Sequence, residues 1–125
     1  MTPAQAKTLM AQLPILERET WDNGTEVVFR AVPFDSVRKP ACPARLHATA
    51  FRECIPLSLV RATQKRVSES GVEKYLLRLG PGEDYPPLVY LRRDGTYAVA
   101  DGHHRLVAAF LRGCEQVQVL VVRAP

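Results

Sequence analysis

The chain has 125 residues, of which 46% are hydrophobic and 24% are charged. This composition is typical of a globular protein, and the length is enough for one domain with a buried core. The net charge of +4 permits a polyanionic partner, but there is no long basic run that would require one. We therefore expect a single domain over residues 1–125.

Membrane and secretory signals are missing from the sequence pattern. No stretch of about 18 apolar residues occurs, so we expect no membrane contact. The first residues, "MTPAQAKTLMAQL", lack the charged region followed by an apolar block that marks a secretory signal. A cytoplasmic location is therefore expected.

The first elements in chain order are a helix and a strand. Residues 3–13 carry Ala, Leu and Met at helical spacing after the start signal Thr2-Pro3, which predicts a helix. Asp22-Asn23-Gly24 predicts a turn. The β-branched residues of segment 25–32 predict a strand that Pro33 ends.

Residues 33–52 have prolines at positions 33, 40 and 43 and no sustained hydrophobic period. This pattern predicts a loop with one short helical turn. Residues 1–53 are therefore interpreted as an N-terminal extension, and residues 54–125 as the core of the domain.

The core segment alternates short apolar runs with helical patterns, which predicts a mixed α/β (α+β) fold. In chain order we predict a strand over 54–60, a helix over 67–79 ended by Gly80-Pro81-Gly82, a strand over 86–93, a hairpin turn at Asp94-Gly95, a strand over 96–101, a helix over 103–112 followed by Gly113, and a strand over 117–122.

The segment "YAVADGHHRLVAAFLRG" carries the polar residues that point to chemistry. A strand ending at Asp101, a turn at Gly102 and an immediate helix would present unpaired N–H groups and the positive end of a helix dipole. Arg105 in the first turn would bind phosphate oxygens in a bidentate way, and His103 and His104 would add donors. The sequence therefore predicts a phosphate site at Gly102, His103, His104 and Arg105.

Together with the residues of this turn, the order of segments resembles that of the ParB/sulfiredoxin-like superfamily. The likeness covers about residues 54–122 and includes "IPLSLV", "PPLVYL" and "ADGHHRLVAAFLRG". The resemblance implies a compact domain in which helices flank a small mixed sheet. It also implies a bound nucleotide, ATP, ADP or CTP, whose phosphates lie at the Gly-x-x-Arg core, Gly102 to Arg105.

Within this superfamily the turn is most similar to that of the free-serine kinases, which have Asp-Gly-His-x-Arg. Chromosome-partitioning members have Gly-Glu-Arg-Arg at this turn, and sulfiredoxins have Gly-Cys-His-Arg with the cysteine as nucleophile. In this chain His103 stands at the position of that cysteine. The kinases also use a carboxylate after the first strand, and the nearest counterpart here is Gln64, which cannot act as a base. Glu69 or Glu73 would serve only with a different placement of the intervening segment.

The residues around Asp101 bear on two kinds of metal site. Adjacent helical residues point about 100° apart, so His103 and His104 do not form a usual zinc pair. Magnesium bound to the nucleotide phosphates fits better, with Asp101 as an oxygen ligand. Asp101, His103 and His104 are accordingly the candidate catalytic groups, with Asp101 as metal ligand or general base.

The leading hypothesis is a nucleotide-phosphate-binding domain, and two alternatives stay open. One is a nucleotide-dependent phosphotransferase or hydrolase. The other is a DNA-binding or nuclease module of ParB-like type, in which Arg61, Lys65 and Arg66 of the segment "RATQKR" would contact DNA phosphates.

Overall fold

The computed structural model describes residues 1–40, 50–78 and 86–123. Within these residues the chain forms helices and two small sheets, which confirms the expected mixed α+β class. In chain order the elements are α1 (Pro3–Met10), β1 (Ile15–Thr20), β2 (Glu26–Ala31), β3 (Phe51–Pro56), a 3-10 turn (Leu57–Leu59), β4 (Val60–Arg61), β5 (Arg66–Ser68), α2 (Glu69–Leu77), β6 (Leu88–Leu91), β7 (Tyr97–Asp101), α3 (His103–Leu111) and β8 (Gln116–Val122).

The larger sheet is mixed, with the strand order β3-β8-β6-β7-β4. β8 pairs antiparallel with β3 and parallel with β6, whereas β7 pairs antiparallel with β6 and parallel with β4. The β6–β7 pairing confirms the predicted hairpin. The smaller sheet has the order β1-β2-β5 and is antiparallel throughout.

Helix α3 lies between two hydrophobic clusters and so holds both sheets to the helices. Leu106 packs among side chains of the larger sheet, including Val99 and Val119. Val107 and Leu111 pack instead with residues of α1 and α2. Because apolar side chains leave α3 in both directions, its first turn is fixed in position on two sides.

The helix starts follow the capping rules. Thr2 caps α1 through a reciprocal capping box with Gln5, and Pro3 occupies the first helical position. Ser68 caps α2 by accepting the N–H of Gly71. The helix predicted over 67–79 is shorter at both ends, since Val67 belongs to β5 and α2 ends at Leu77 with Arg78 in an extended conformation. The predicted stop at Gly80-Pro81-Gly82 lies outside the described residues.

One strand prediction is wrong, and one strand was not predicted. The single strand predicted over 54–60 is wrong, because β3 runs from Phe51 to Pro56 and a 3-10 turn follows. The pairing with β8 reaches Pro56, and the Leu57 N–H still donates to the carbonyl of Glu115 at 2.9 Å in the same register before the chain enters the 3-10 turn. β1 was not predicted, and its side chains are almost all exposed.

The predicted loop over 33–52 is described only in part, since residues 41–49 lie outside the described ranges. Ser36 forms a parallel bridge with Ala62, and Phe51 and Arg52 belong to β3. Through the bridge, the segment after β2 runs beside β4. In the described part of the chain, no helix has the length and apolar character needed to cross a bilayer. The assignment of residues 1–53 as an extension stays a prediction.

Candidate phosphate site

The turn between β7 and α3 has the predicted form. β7 ends at Asp101, α3 begins at His103, and Gly102 joins them with φ of 105°, in the left-handed region that favours glycine. A β-carbon on Gly102 would lie 2.8 Å from Cβ of Pro87 and 3.2 Å from Nη2 of Arg105. Glycine therefore satisfies both the backbone conformation and the close packing at this turn.

No side chain of the described residues caps α3. The N–H groups of its first turn have no intrahelical acceptor, and the helix dipole places partial positive charge there. Asp101 lies at the end of β7, is exposed, and pairs in register with Leu88. The turn therefore offers hydrogen-bond donors to an anion, with one carboxylate close by in sequence.

Arg105 lines a cavity of about 290 Å³ beside this turn. Among the described lining residues there are three arginines and no carboxylate. The described lining residues are Tyr75, Arg78, Pro86, Pro87, Arg105, Ala108, Ala109, Arg112, Val117 and Gln118. We call this space the arginine cavity, and its charge suits an anionic guest.

The ring of Tyr75 lies near two of the guanidinium groups of the arginine cavity. The guanidinium carbons of Arg78 and Arg105 are 5.4 and 5.9 Å from its ring centre, within the range of cation–π attraction. Arg112 donates through Nη2 to the carbonyl of Leu76 at 3.1 Å and to that of Tyr75. The end of α2 is thereby held against α3.

The imidazole of His103 points away from the arginine cavity and into the fold. It is 5% exposed, and its Nε2 accepts the N–H of Thr63 at 3.0 Å. Burial lowers the pKa of His103 to about 4, assisted by the nearby charges of His104 and Lys39 and opposed by Asp101. His103 is therefore neutral at physiological pH and ties the start of α3 to the loop that contains Thr63.

The imidazole of His104 contacts the start of α2. Its Nε2 lies 3.3 Å from Oγ of Ser68, and burial lowers the pKa of His104. His104 and Ser68 line a separate cavity of about 280 Å³ with Phe29, Gln64, Arg66 and Val67. We call this the serine cavity.

The structure thus divides the four residues predicted to hold phosphate. Gly102 and Arg105 lie beside the arginine cavity, whereas the rings of His103 and His104 contact Thr63 and Ser68. The phosphate role of all four, and the catalytic role of Asp101, His103 and His104, stay predictions. No cluster of three or more His, Cys, Asp or Glu side chains suited to a metal occurs in residues 1–40, 50–78 and 86–123.

The residues considered as a kinase carboxylate have other neighbours. Glu69 pairs with Nε of Arg30 at 2.9 Å, which fastens the first turn of α2 to β2. Gln64 donates its side-chain amide to the carbonyl of Arg66. Neither group faces the arginine cavity.

The three residues predicted to contact DNA differ in how far they are already engaged. Arg61 donates to the carbonyls of Ser58 and Val60 at 2.9 and 3.0 Å. Arg66 pairs with Glu17 and lies with its guanidinium 4.0 Å from the ring centre of Phe29. Lys65 is exposed. Their role in DNA binding stays a prediction.

Sequence reasoning missed Tyr75, Arg78 and Arg112 at the arginine cavity. The two arginines occur in the segments "LLRL" and "FLRG" at helix ends, where cations are common for reasons of capping alone. Their convergence depends on the packing of α2 against α3. A cation at the end of each of two adjacent helices was the only available signal.

Comparison with known proteins finds a similarity over part of the chain. No protein-family model matches it. Over 81 residues it is 38% identical to the transcriptional regulator NovG of Streptomyces niveus, a match that covers 64% of this chain and 25% of the regulator. The chain is therefore similar to a segment of a transcriptional regulator and spans about a quarter of that relative's length.

Proposed function

We propose that this chain is a nucleotide-binding domain of the ParB/sulfiredoxin-like kind and that it is the ligand-binding part of a transcriptional regulator. The proposal takes the phosphates of ATP, ADP or CTP as the guests of the arginine cavity. The observation that carries it is the juxtaposition of the uncapped Gly102 turn with the guanidinium of Arg105. The regulator's name supplies the biological setting.

The chemistry of the cavity supports phosphate over a neutral guest. Guanidinium groups bind phosphate oxygens through two parallel hydrogen bonds, and each charge-assisted bond contributes about 1.5–3 kcal/mol. The N–H groups at the start of α3 would add donors to the same oxygens. The side chains of Arg105 and Arg112 also line this cavity and give it positive charge, which favours an anionic guest.

Magnesium would accompany a triphosphate, and Asp101 is the carboxylate placed to help hold it. Asp101 is exposed and lies one residue before Gly102, so its oxygens are available to an ion bound on the phosphates. When bound, magnesium would neutralise phosphate charge. The same carboxylate would act as the base in the enzymatic alternative, a phosphotransferase or hydrolase.

A thermal-shift screen of the four nucleoside triphosphates and their diphosphates, with and without magnesium, tests the proposal first. A ligand that binds only the folded state stabilises it by about 2.7 kcal/mol at a hundredfold excess over Kd. The expected result is stabilisation by at least one nucleotide and none by the matching nucleoside. Equal stabilisation by nucleoside and nucleotide would contradict a phosphate site.

Calorimetric titration of Arg105 variants then tests the site. Arg105→Ala should weaken the best nucleotide at least tenfold and change the free energy of unfolding by about 0.5 kcal/mol or less. Arg105→Lys should restore part of the affinity, because a point charge does not reproduce the planar fork. Arg93→Ala, an exposed arginine of the β6–β7 turn, is the control. Equal affinities in all four proteins would overturn the phosphate cavity.

The similarity to a transcriptional regulator favours DNA contact as the second candidate function. In this version Arg61, Lys65 and Arg66 contact backbone phosphates, and affinity falls steeply with salt. Lys65→Gln should lower the slope of log affinity against log salt by about 1, while Lys7→Gln in α1 should leave it unchanged. Fluorescence anisotropy with a DNA duplex makes this measurement. Binding that is insensitive to salt and to Lys65→Gln would exclude this interface.

A further inference from the structure

The hydroxyl of Ser68 and the imidazole of His104 face each other where β5 passes into α2. Oγ of Ser68 accepts the N–H of Gly71 at 3.2 Å and lies 3.3 Å from Nε2 of His104. A hydroxyl has one proton to donate. With His104 in the tautomer that carries its proton on Nδ1, Nε2 accepts the proton of Oγ, which is the arrangement that general-base activation requires.

The approach of His104 to Ser68 depends on the absence of a side chain at Gly71. A β-carbon there would lie 2.4 Å from Cδ2 and 2.7 Å from Nε2 of His104. Glycine inside a helix costs about 1 kcal/mol relative to alanine. The first turn of α2 is thus shaped around the imidazole, and burial keeps that ring in the neutral, proton-accepting form.

The pair opens into the serine cavity of about 280 Å³. Its other walls combine the apolar ring of Phe29 with the polar side chains of Gln64 and Arg66, and the latter two are exposed at its mouth. The Gly71 N–H donates to Oγ of Ser68, and the other N–H groups in the first turn of α2 lack intrahelical acceptors. They are donors of the kind that stabilise an oxyanion next to a nucleophile.

We propose that Ser68 is a nucleophilic serine, with His104 as its base, that reacts with esters of small carboxylic acids in the serine cavity. Oγ forms a bond to the acyl carbon, its proton passes to Nε2, and the alcohol leaves with that proton as the carbon–oxygen bond of the ester breaks. Water then attacks the acyl-serine with His104 again as base. The step releases the carboxylic acid and restores the hydroxyl, and it does not depend on nucleotide binding.

Labelling with a small alkyl fluorophosphonate tests the nucleophile. Oγ would form a bond to phosphorus, fluoride would leave, and the proton would pass to His104. The expected result, by intact-mass and peptide mass spectrometry, is one adduct per chain located on Ser68. Ser70→Ala, which removes an exposed serine two residues away, should label at the wild-type rate.

Two variants separate chemistry from folding. Ser68→Asn keeps a side chain that caps a helix but has no hydroxyl, so it should fold and not label. His104→Gln should lower the labelling rate at Ser68 at least tenfold, and the same variant should lower hydrolysis of 4-nitrophenyl acetate by a similar factor. Labelling absent from Ser68 in the wild type, or equally fast in His104→Gln, would overturn the proposal and leave Ser68 as a helix cap.

Discussion

The buried, neutral imidazole of His103 makes the free energy of unfolding depend on pH. Its pKa is about 4 in the fold against an ordinary value of 6.5, so between these two pH values the unfolded chain binds a proton that the folded chain does not. Stability is therefore full above pH 6.5 and falls as the pH drops toward 4. At about 1.4 kcal/mol per pKa unit, the loss attributable to His103 is about 3 kcal/mol.

Urea unfolding of wild type and His103→Gln across pH 4–7 isolates this contribution. The glutamine oxygen can still accept the Thr63 N–H but does not titrate, so the variant should lose less stability over the window. Carboxylates titrate in both proteins and cancel in the comparison. Parallel pH profiles for the two proteins would show that His103 is not held in its neutral form.

Gly102 is a second residue whose effect is readable from local geometry. Gly102→Ala would place a methyl group in the left-handed region, which costs about 1–2 kcal/mol, and against Pro87 at 2.8 Å. Gly95→Ala is the matched control, with a similar φ of 83° and no atom within 4 Å. Thermal unfolding should show a larger loss for Gly102→Ala, accompanied by weaker nucleotide binding. Equal losses would mean that the Pro87 contact yields readily.

At the scale of elements, the close packing of α2 against α3 depends on the absence of a side chain at Gly71, where the ring of His104 lies. Gly71→Ala should destabilise the fold although alanine favours a helix by about 1 kcal/mol, because the new methyl group would overlap the ring of His104. The variant Gly71→Ala/His104→Ala should recover part of the loss. A double-mutant cycle in urea measures the coupling, expected between about 0.5 and 3 kcal/mol. A stabilising Gly71→Ala would contradict this packing.

The elements most reliably predicted from sequence were those with strong local signals. The β6–β7 hairpin has Asp94-Gly95 between two apolar runs, and α3 begins where the hydrophobic period changes at Gly102. β1 was missed because "ILERET" is an exposed edge strand with little apolar alternation. β3 ends at Pro56, where the chain enters the 3-10 turn Leu57–Leu59, and the continuous apolar run did not indicate this change.

The site was predictable only where its residues are close in sequence. Gly102 and Arg105 belong to one turn, so their proximity follows from helix geometry alone. Arg78 and Arg112 reach the same cavity only through the packing of α2 on α3, which no local pattern encodes. The inward direction of the His103 ring was equally hidden, since it depends on where the loop at Thr63 lies.

For the molecule as a whole, the clusters on either side of α3 predict that residues 1–40 unfold with the rest. Met10 is 1% exposed in the cluster that includes Val107 and Leu111, so Met10→Ala should cost about 2–5 kcal/mol. Trp21, the single tryptophan, reports on the β1–β2 region, and circular dichroism reports on all elements. The two transitions should coincide and shift together.

The exposed Met1 provides the control for this experiment. Met1→Ala should change stability by about 0.5 kcal/mol or less. If Met10→Ala shifted only the fluorescence transition, the N-terminal segment would be an independently unfolding extension of the kind that the sequence first indicated.

The place of β8 in the larger sheet has a consequence for the nascent chain. β8 lies between β3 and β6, so neither of those strands has this neighbour until residues 116–122 have left the ribosome. The smaller sheet and the contacts of α1 with α2 need only residues up to 77. During translation β3 therefore lacks its partner strand while roughly sixty further residues are synthesised. A pause or truncation before β8 would leave β3 unpaired and available to chaperones or to aggregation.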